Sequence, residues 1–374
     1  MSSLFCPVKI RSMTVKNRFM SSATYEAMAE PDGTVTDAIL SRYRQLAKGD
    51  VGLIVPGHMC VHPSGKAGLK QTGIFSDKHI KGLKGLVDVI HRNNSKVVFQ
   101  LAHAGRQTRV QITGRETISP SNIGPDPIFK TEPREMTAAE IEELVTEFGN
   151  GARRAAEAGA DGVQVHAAHG YMVNQFLSPF FNRRSDKWGG SDENRFRFIK
   201  EAILAIKANV PSDMVVMVKL SSNDYTPGTG IDPTLAARYS RWLVDLGVDG
   251  IEISSGTLSF SPSATTRSKD KRGRFTYHDA YHLEAAEIVK PVMGQVPLML
   301  VGGVRKLSLM EEIVESGKAD MVSLSRPFIR EPDFVKRLAS GKINKASCIS
   351  CNNCLSAVRT NLPVRCYIKG LPEK

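Results

Sequence analysis

The chain has 374 residues, of which 41% are apolar, and it carries a formal net charge of +12 at pH 7. This apolar content is enough for a large buried core, and no segment approaches the roughly 18–20 uncharged apolar residues of a membrane-spanning helix. The positive charge comes with no basic tail, no nucleic-acid-binding motif and no apolar leader segment. We therefore expect a cytoplasmic protein that binds neither nucleic acid nor a membrane.

Short β-branched or apolar runs that end in glycine, serine or another polar residue predict β-strands. Eight such runs occur, at residues 17–24, 51–57, 96–105, 161–170, 214–222, 249–256, 297–304 and 321–328. Amphipathic stretches between them predict helices, for example over 80–93, 137–158, 193–208, 233–246 and 307–316. Regular alternation of strands and helices is typical of a parallel sheet.

Eight strand–helix units indicate that the sheet closes into a (β/α)₈ barrel. The alternative is an open doubly wound sheet, which needs a Gly-x-Gly-x-x-Gly turn after the first strand, and none is present there. We predict one barrel over residues 1–340 and a cysteine-rich extension over 341–374. The extension is too short to fold independently without a staple such as a metal.

Catalytic groups of such barrels lie at the carboxyl ends of the strands, so the polar residues there are the candidates for a functional site. Gln100 stands near the end of the third strand, and Lys219 ends an apolar run in the fifth. A buried lysine needs an anionic partner or a shifted pKa. Two partners remain open, namely the N1–C2 carbonyl of a flavin, which gains negative charge on reduction, and an acidic neighbour such as Glu252.

The fourth strand ends in His166, His169 and Tyr171. His-x-x-His is a spacing of metal ligands, but no third ligand follows from the sequence. The two imidazoles can instead hold and polarise a substrate oxygen, and a structural role for them also stays open. Tyr171 supplies a phenol that can donate a proton.

The seventh and eighth strands end in residues that suit a phosphate. Gly302 and Gly303 let the backbone approach a ligand and present its amides, and Arg326 adds a forked cation. The loops after these two strands are the usual phosphate site of the fold, so we predict a phosphorylated cofactor. The alternative is that the glycines form only a tight turn and that Arg326 pairs with a surface carboxylate.

Six segments, in the same order along the chain, resemble the Old Yellow Enzyme family of flavin oxidoreductases. They are 17–24, 100–106, 166–171, 182–195, 301–304 and 325–327, and 182–195 (NRRSDKWGGSDENR) is the most specific. The resemblance implies a bound FMN, a phosphate clamp at 301–304 and 325–327, substrate anchoring by His166 and His169, and proton donation by Tyr171. The FMN contacts it implies are Ser22, Ala23, Thr24, Gly57, Gln100, Lys219, Gly302, Gly303, Ser325 and Arg326.

Two residues depart from the pattern of the family. Lys219 stands where many members have arginine, and it still supplies a point charge. Ser325 stands where glycine is frequent, and this departure bears on the geometry that its backbone amide can adopt.

Four of the six cysteines lie within nineteen residues, at Cys348, Cys351, Cys354 and Cys366. This clustering is typical of metal ligation in a reducing compartment rather than of a secreted disulfide framework. Three close thiolates and a fourth from downstream predict one [4Fe–4S] cluster, with tetrahedral zinc as the alternative. The segment 348–355 also resembles the cluster segment of the dienoyl-CoA reductase and trimethylamine dehydrogenase branch of the family.

No second dinucleotide-binding pattern occurs up to Lys374, so we expect electrons to come from NAD(P)H directly or from a ferredoxin-like or flavoprotein donor. A basic surface suits an acidic carrier, and an ordinary solvated surface is the alternative. The basic residues that could form such a surface are Arg183, Arg184, Arg267, Lys269, Lys271, Arg272 and Arg274.

The leading hypothesis for the activity is an ene-reductase that reduces the activated C=C bond of an α,β-unsaturated carbonyl substrate. A second hypothesis is an amine or alcohol dehydrogenase that passes electrons outward through the cluster. A third is a non-catalytic electron-transfer subunit. The sequence does not identify the substrate, and it is compatible with a homo-oligomer.

Overall fold

A computed structural model of the chain describes residues 2–260, 268–269, 275–276 and 278–372. Four of the basic residues considered for partner binding, Arg267, Lys271, Arg272 and Arg274, lie outside the described residues. Within the described part, no helix combines the length and the apolar character that a membrane crossing requires.

Eight parallel strands form the centre of the molecule. They are β1 (Phe19–Ser21), β2 (Leu53–Ile54), β3 (Lys96–Ala102), β4 (Gly162–Ala167), β5 (Val215–Ser221), β6 (Gly250–Ser254), β7 (Leu298–Val301) and β8 (Met321–Leu324). Each strand pairs with the next in chain order, and the pairing of Val322 in β8 with Phe19 in β1 closes the circle. The predicted (β/α)₈ barrel is confirmed, and every strand lies within its predicted segment.

The barrel helices are α1 (Asp37–Lys48), α2 (Ile80–His91), α3 (Ala138–Glu157), α4 (Asp192–Ala208), α5 (Pro233–Asp245), α6 (Leu283–Val289), α7 (Leu307–Glu315) and α8 (Phe334–Ala339). The five helices predicted from periodicity are confirmed as α2, α3, α4, α5 and α7. A capping box begins α3, because the Thr137 hydroxyl accepts from Glu140 N–H and the Glu140 carboxylate accepts from Thr137 N–H. The shorter helices are Val110–Thr113, Met172–Leu177, Arg326–Arg330 and Asn353–Arg359, with 3-10 turns at Ser3–Phe5, Pro63–Gly65, Asp77–His79 and Lys290–Val292.

An antiparallel hairpin of Val8–Ile10 and Met13–Val15 closes the amino-terminal end of the barrel. Its apolar side chains pack with inward-facing residues of the strands, including Met217. The hydroxyl of Ser12 donates to the carbonyl oxygen of Asp213, which lies two residues before the start of β5. The opposite, carboxyl-terminal end is therefore the one at which a ligand can enter. The remaining short strands are Met59–Cys60, Ile118–Ser119, Arg134–Glu135, Ser268–Lys269 and Phe275–Thr276.

Side-chain alternation along β5 determines what faces the interior. Val215 and Met217 belong to the core inside the barrel, whereas Val216 and Val218 pack outside the strands. Because side chains on a strand alternate between its two faces, Lys219 continues the interior row. The interior thus changes from apolar to polar towards the carboxyl-terminal end.

The segment after α8 packs against the loop that follows β1. The backbone N–H of Val364 donates to the carbonyl oxygen of Glu26 over 2.8 Å. Val358 and Val364 share a small buried cluster with Ala27 and Ile329. The division of the chain at residue 340 into barrel and extension stays a prediction.

Candidate active site and phosphate cleft

A buried polar layer crosses the barrel at the level of Lys219 and Glu252, which are paired in register on β5 and β6. Their ammonium and carboxylate lie 3.3 Å apart, and both side chains are almost fully buried. The carboxylate also accepts from the hydroxyls of Ser22 and Ser323, each at 2.7 Å, and from the amide of Gln164 at 3.1 Å. The ion pair that the sequence left open is therefore present.

The same layer includes a predicted flavin contact on β3. The amide of Gln100 donates to Gln164 Oε1 over 2.7 Å. The ammonium of Lys219 donates to Ser22 over 2.7 Å as well as to Glu252. These are the two acceptors of Lys219 among the described residues. Because an ammonium has three N–H donors, one remains available for a ligand.

Two histidines and a tyrosine meet above this layer. The rings of His166 and His169 lie 5.1 Å apart, centre to centre, and His166 lies 4.8 Å from Tyr171. His169 Nε2 pairs with the Ser254 hydroxyl at 2.7 Å, whereas the buried Nδ1 of His166 has no partner among the described residues. The sequence-predicted trio is thus brought together, with one ring nitrogen left for a ligand.

Burial determines the ionisation of these groups. It lowers the pKa of His166 and of His169 well below the usual value, and the positive charge of Lys219 lowers both further. Burial also raises the pKa of the Tyr171 phenol. At neutral pH the site therefore presents two neutral imidazoles and a protonated phenol.

His58 also belongs to this site, although it is not among the residues predicted from the sequence. Its Nε2 lies 3.3 Å from the Tyr171 hydroxyl, and its ring stacks on Tyr25 with 5.7 Å between ring centres. Burial lowers the pKa of His58 to about 4. His58 directly follows the predicted cofactor contact Gly57, and this adjacency is the signal by which the sequence could have indicated it.

The predicted contact Gly57 has a partner within the protein. Its N–H donates to Glu26 Oε1 over 2.8 Å, and the Glu26 carboxylate also accepts from the Tyr43 hydroxyl. A Cβ at position 57 would come within 2.1 Å of that carboxylate, so a side chain there would displace it. Burial raises the pKa of Glu26.

Gly302, Gly303, Ser325 and Arg326 line one cleft of about 60 Å³ at the ends of β7 and β8. Both glycines have left-handed φ angles of 118° and 76°, and a Cβ on Gly302 would lie 2.6 Å from the ring of His282. The tight turn that the sequence left open is thus present, and it keeps the backbone accessible at the cleft.

Tyr281 also lines this cleft, and Thr24 contacts its lining residue Ser325. The hydroxyls of Thr24 and Ser325 lie 2.7 Å apart, and Ala23 packs on the core inside the barrel. Arg326 donates to the hydroxyl of Tyr281 at 3.2 Å. Hydroxyls, backbone amides and a guanidinium are the donors that a phosphate monoester needs, so the cleft fits the predicted group.

All four clustered cysteines line one small cavity beside this cleft, together with Arg326 and Arg330. None of the four forms a disulfide. Burial raises the pKa of Cys354, the charge of Arg326 opposes this, and Cys348 and Cys351 raise it further. Among the described residues, no group of three or more His, Cys, Asp or Glu side chains is arranged around a single metal ion.

Known proteins resemble this chain over most of its length. Residues 3–345 match the NADH:flavin oxidoreductase / NADH oxidase family. The chain is 34% identical over 371 residues to an NADH oxidase of Thermoanaerobacter brockii, covering 98% of this chain and 56% of that protein. It is 36% identical over 342 residues to an NADPH dehydrogenase of Bacillus subtilis (strain 168), covering 91% of this chain and 95% of that protein.

A similar fold occurs in a 2-naphthoyl-CoA reductase in complex with 2-naphthoyl-CoA, with a TM-score of 0.91 and 28% identity over 97% of this chain and 56% of that one. The chain thus spans about half the length of the NADH oxidase and of this reductase, and nearly all of the NADPH dehydrogenase.

Proposed function

Because the chain belongs to the NADH:flavin oxidoreductase / NADH oxidase family, we propose that it is an FMN-dependent ene-reductase acting on α,β-unsaturated carbonyl compounds. The family match confirms the predicted Old Yellow Enzyme membership and the class of flavin oxidoreductase. The observation that carries the finer proposal is the meeting of His166, His169 and Tyr171 at the open end of the barrel.

FMN fits two parts of the site. The cleft at Gly302, Gly303 and Arg326 offers donors to its phosphate, and the spare N–H of Lys219 can meet the negative charge that the flavin ring gains on reduction. Ser22 and Gln100 belong to the same polar layer. Bound FMN would supply the hydride, and the protein would supply orientation and electrostatics.

Three side chains of the protein would bind, orient and protonate the substrate. The buried and unpartnered ring nitrogen of His166 suits a hydrogen bond to the carbonyl oxygen of the substrate. His169, held by Ser254, orients the same oxygen from the neighbouring position. These hydrogen bonds draw electrons from the conjugated C=C bond, and the Tyr171 hydroxyl gives its proton to the α-carbon.

The cysteine cavity fits the donor set of an iron–sulfur cluster. Four thiols without disulfides line one cavity, and each thiolate of a [4Fe–4S] cluster binds a different iron. Such thiolates need not converge on one ion, whereas those of a zinc site must. The cavity therefore supports a cluster better than zinc.

We further propose that an acidic redox protein exchanges electrons with this protein at the cysteine segment, which is the cysteine-rich extension over residues 341–374. From Gly341 to Lys374 the sequence has six basic residues (Lys342, Lys345, Arg359, Arg365, Lys369 and Lys374) and one acidic residue, Glu373. Ile349 is 58% exposed and Leu355 is 41% exposed, so apolar side chains accompany the positive charge beside the cysteines. An acidic partner complements such a surface.

Anaerobic stopped-flow measurements test the proposal. The oxidised protein is mixed with NADPH, NADH or chemically reduced ferredoxin, and the reduced protein is then mixed with 2-cyclohexen-1-one as a simple conjugated carbonyl probe. We expect reoxidation of the flavin by the enone together with formation of the saturated ketone. Reduction of the flavin by amines or alcohols, without reoxidation by enones, would support the dehydrogenase alternative instead.

A further inference from the structure

We propose that His58, held in one tautomer by Gln71, is a positioning residue that donates a hydrogen bond to Tyr171 and so directs the phenolic proton towards the substrate. The inference rests on the proposed role of Tyr171 as proton donor and adds two residues to it. The hydrogen bonds around the Gln71 side chain determine the tautomer of His58.

Two backbone groups determine the orientation of the Gln71 amide. The N–H of Ala67 can only donate, and it lies 2.7 Å from Gln71 Oε1. The carbonyl of His58 can only accept, and it lies 3.0 Å from Gln71 Nε2. The oxygen and nitrogen of the amide are therefore assigned by partners of known polarity, and Gln71 is almost fully buried.

The amide orientation determines the tautomer of His58. Gln71 Nε2 also lies 2.6 Å from Nδ1 of the His58 ring. Because this nitrogen of the amide can only donate, His58 Nδ1 must accept. A neutral imidazole has one N–H, so the proton of His58 is on Nε2.

The tautomer in turn determines the hydrogen bonding of Tyr171. His58 Nε2–H donates to the phenolic oxygen across 3.3 Å, so the proton of the phenol is not directed to His58. When the O–H bond of Tyr171 breaks and a C–H bond forms on the substrate, the tyrosinate oxygen remains hydrogen-bonded to His58. Burial opposes formation of that anion, and the hydrogen bond partly offsets the effect.

The groups around His58 favour the neutral ring. Burial is the main reason that the pKa of His58 is low, and Lys219 lowers it further, while the rings of Tyr25 and His166 both stack against that of His58. Since Nδ1 is occupied by an amide donor, no proton can enter His58 from that side. His58 therefore stabilises the tyrosinate without relaying protons, and solvent restores the proton of Tyr171.

The isosteric substitution Gln71→Glu tests the inference. One carboxylate oxygen can still accept from Ala67 N–H, but the other would favour the Nδ1–H tautomer of His58 and accept a hydrogen bond from it. At high pH His58 Nε2 would then be an acceptor and would receive the hydrogen bond of the Tyr171 hydroxyl. One added proton, whether it resides on the introduced carboxylate or on the His58 ring, restores donation from Nε2.

We expect the rate of enone reduction by Gln71→Glu to approach that of the wild type at low pH and to fall at least tenfold as the pH rises. The wild type and the control Gln71→Leu lack this new ionisation and should have the same pH profile shape. Flavin reduction by the nicotinamide should be unchanged in all three. A Gln71→Glu profile parallel to that of the wild type would contradict the inference.

Two further measurements separate this inference from the proposed function. Histidine ¹⁵N spectra of the wild type, assigned by comparison with His58→Leu, should show His58 as the Nε2–H tautomer, and the Nδ1–H form would overturn the inference even without any turnover. His58→Gln can retain an N–H donor towards Tyr171, so it should recover part of the kcat that His58→Leu loses, with little change in KM. Equal losses would also contradict the role.

Discussion

Arg326 Nη1 donates a hydrogen bond of 2.8 Å to Asn352 Oδ1 and thereby joins the phosphate cleft to the cysteine segment. Asn352 lies between two of the clustered cysteines, Cys351 and Cys354. The same guanidinium reaches Tyr281, and its five N–H donors leave further capacity for a phosphate. One residue therefore borders both predicted cofactor sites.

Replacing Arg326 by methionine should weaken FMN binding by about 10- to 100-fold, since hydrogen bonds to charged groups contribute about 1.5–3 kcal/mol. Asn352→Leu removes only the link to the cysteine segment and should change FMN affinity less than threefold. Fluorescence titration of the flavin-free protein measures both dissociation constants. Equal weakening by the two substitutions would mean that Arg326 acts through the segment rather than on the phosphate.

Tyr171→Phe should slow enone reduction by a factor of about 10²–10⁴, the usual contribution of a positioned general acid. Flavin reduction by NADPH or NADH should remain at the wild-type rate, because no substrate carbon is protonated in that half-reaction. Tyr239→Phe is a matched control, since its buried hydroxyl donates to the Leu177 carbonyl on the outer side of the barrel. If both half-reactions slow together in Tyr171→Phe, the phenol has a structural role.

The elements of the barrel and most of the site were predictable because local patterns determine them. The apolar run before Lys219 indicated its burial, and the alternation of side chains along β5 places it inside the barrel. Its ion pair with Glu252 needed only the neighbouring strand in parallel register. Both are consequences of the period of a strand.

Strand periodicity could not predict that His58, Tyr281 and Gln71 belong to the site. These residues lie in connections outside the barrel strands, where no periodicity relates sequence position to direction. The contact between His58 and Tyr171 joins residues 113 positions apart in the chain. Only the closed barrel brings them together.

The stability of the protein should depend on pH through Glu26. Its pKa is raised in the folded state by burial, so the contribution of this group to stability is fully present below the usual pKa of 4.5 and decreases as the pH rises above it. Glu26→Gln removes the ionisation and keeps an oxygen for Gly57 N–H. Urea unfolding between pH 4.5 and pH 8 should show a stability difference that moves in favour of the variant as the pH increases. A constant difference would exclude this linkage.

Glu252→Leu should destabilise the protein by about 3–5 kcal/mol, because it leaves the buried ammonium of Lys219 without its charged partner. Glu252→Gln keeps an oxygen acceptor for Ser22 and Ser323 and should cost less. Urea unfolding of the flavin-free protein measures both losses without a contribution from cofactor binding. A double variant, Glu252→Leu with Lys219→Met, should recover part of the loss, and no recovery would argue against an energetically coupled pair.

Serine substitution of any one of the four clustered cysteines should remove bound iron from anaerobically purified protein while FMN remains. The expected wild-type content is about four iron and four sulfide per chain for a cubane held by four thiolates, whereas one zinc without sulfide would support the alternative. Cys60→Ser is the matched control, since Cys60 is buried on the barrel, lies outside the cysteine cavity and has a pKa raised to about 12 by burial. Metal analysis and the visible spectrum before and after dithionite give the result. If Cys60→Ser loses iron to the same extent, the loss reflects general destabilisation, and if Cys348→Ser retains full iron, Cys348 is not a ligand.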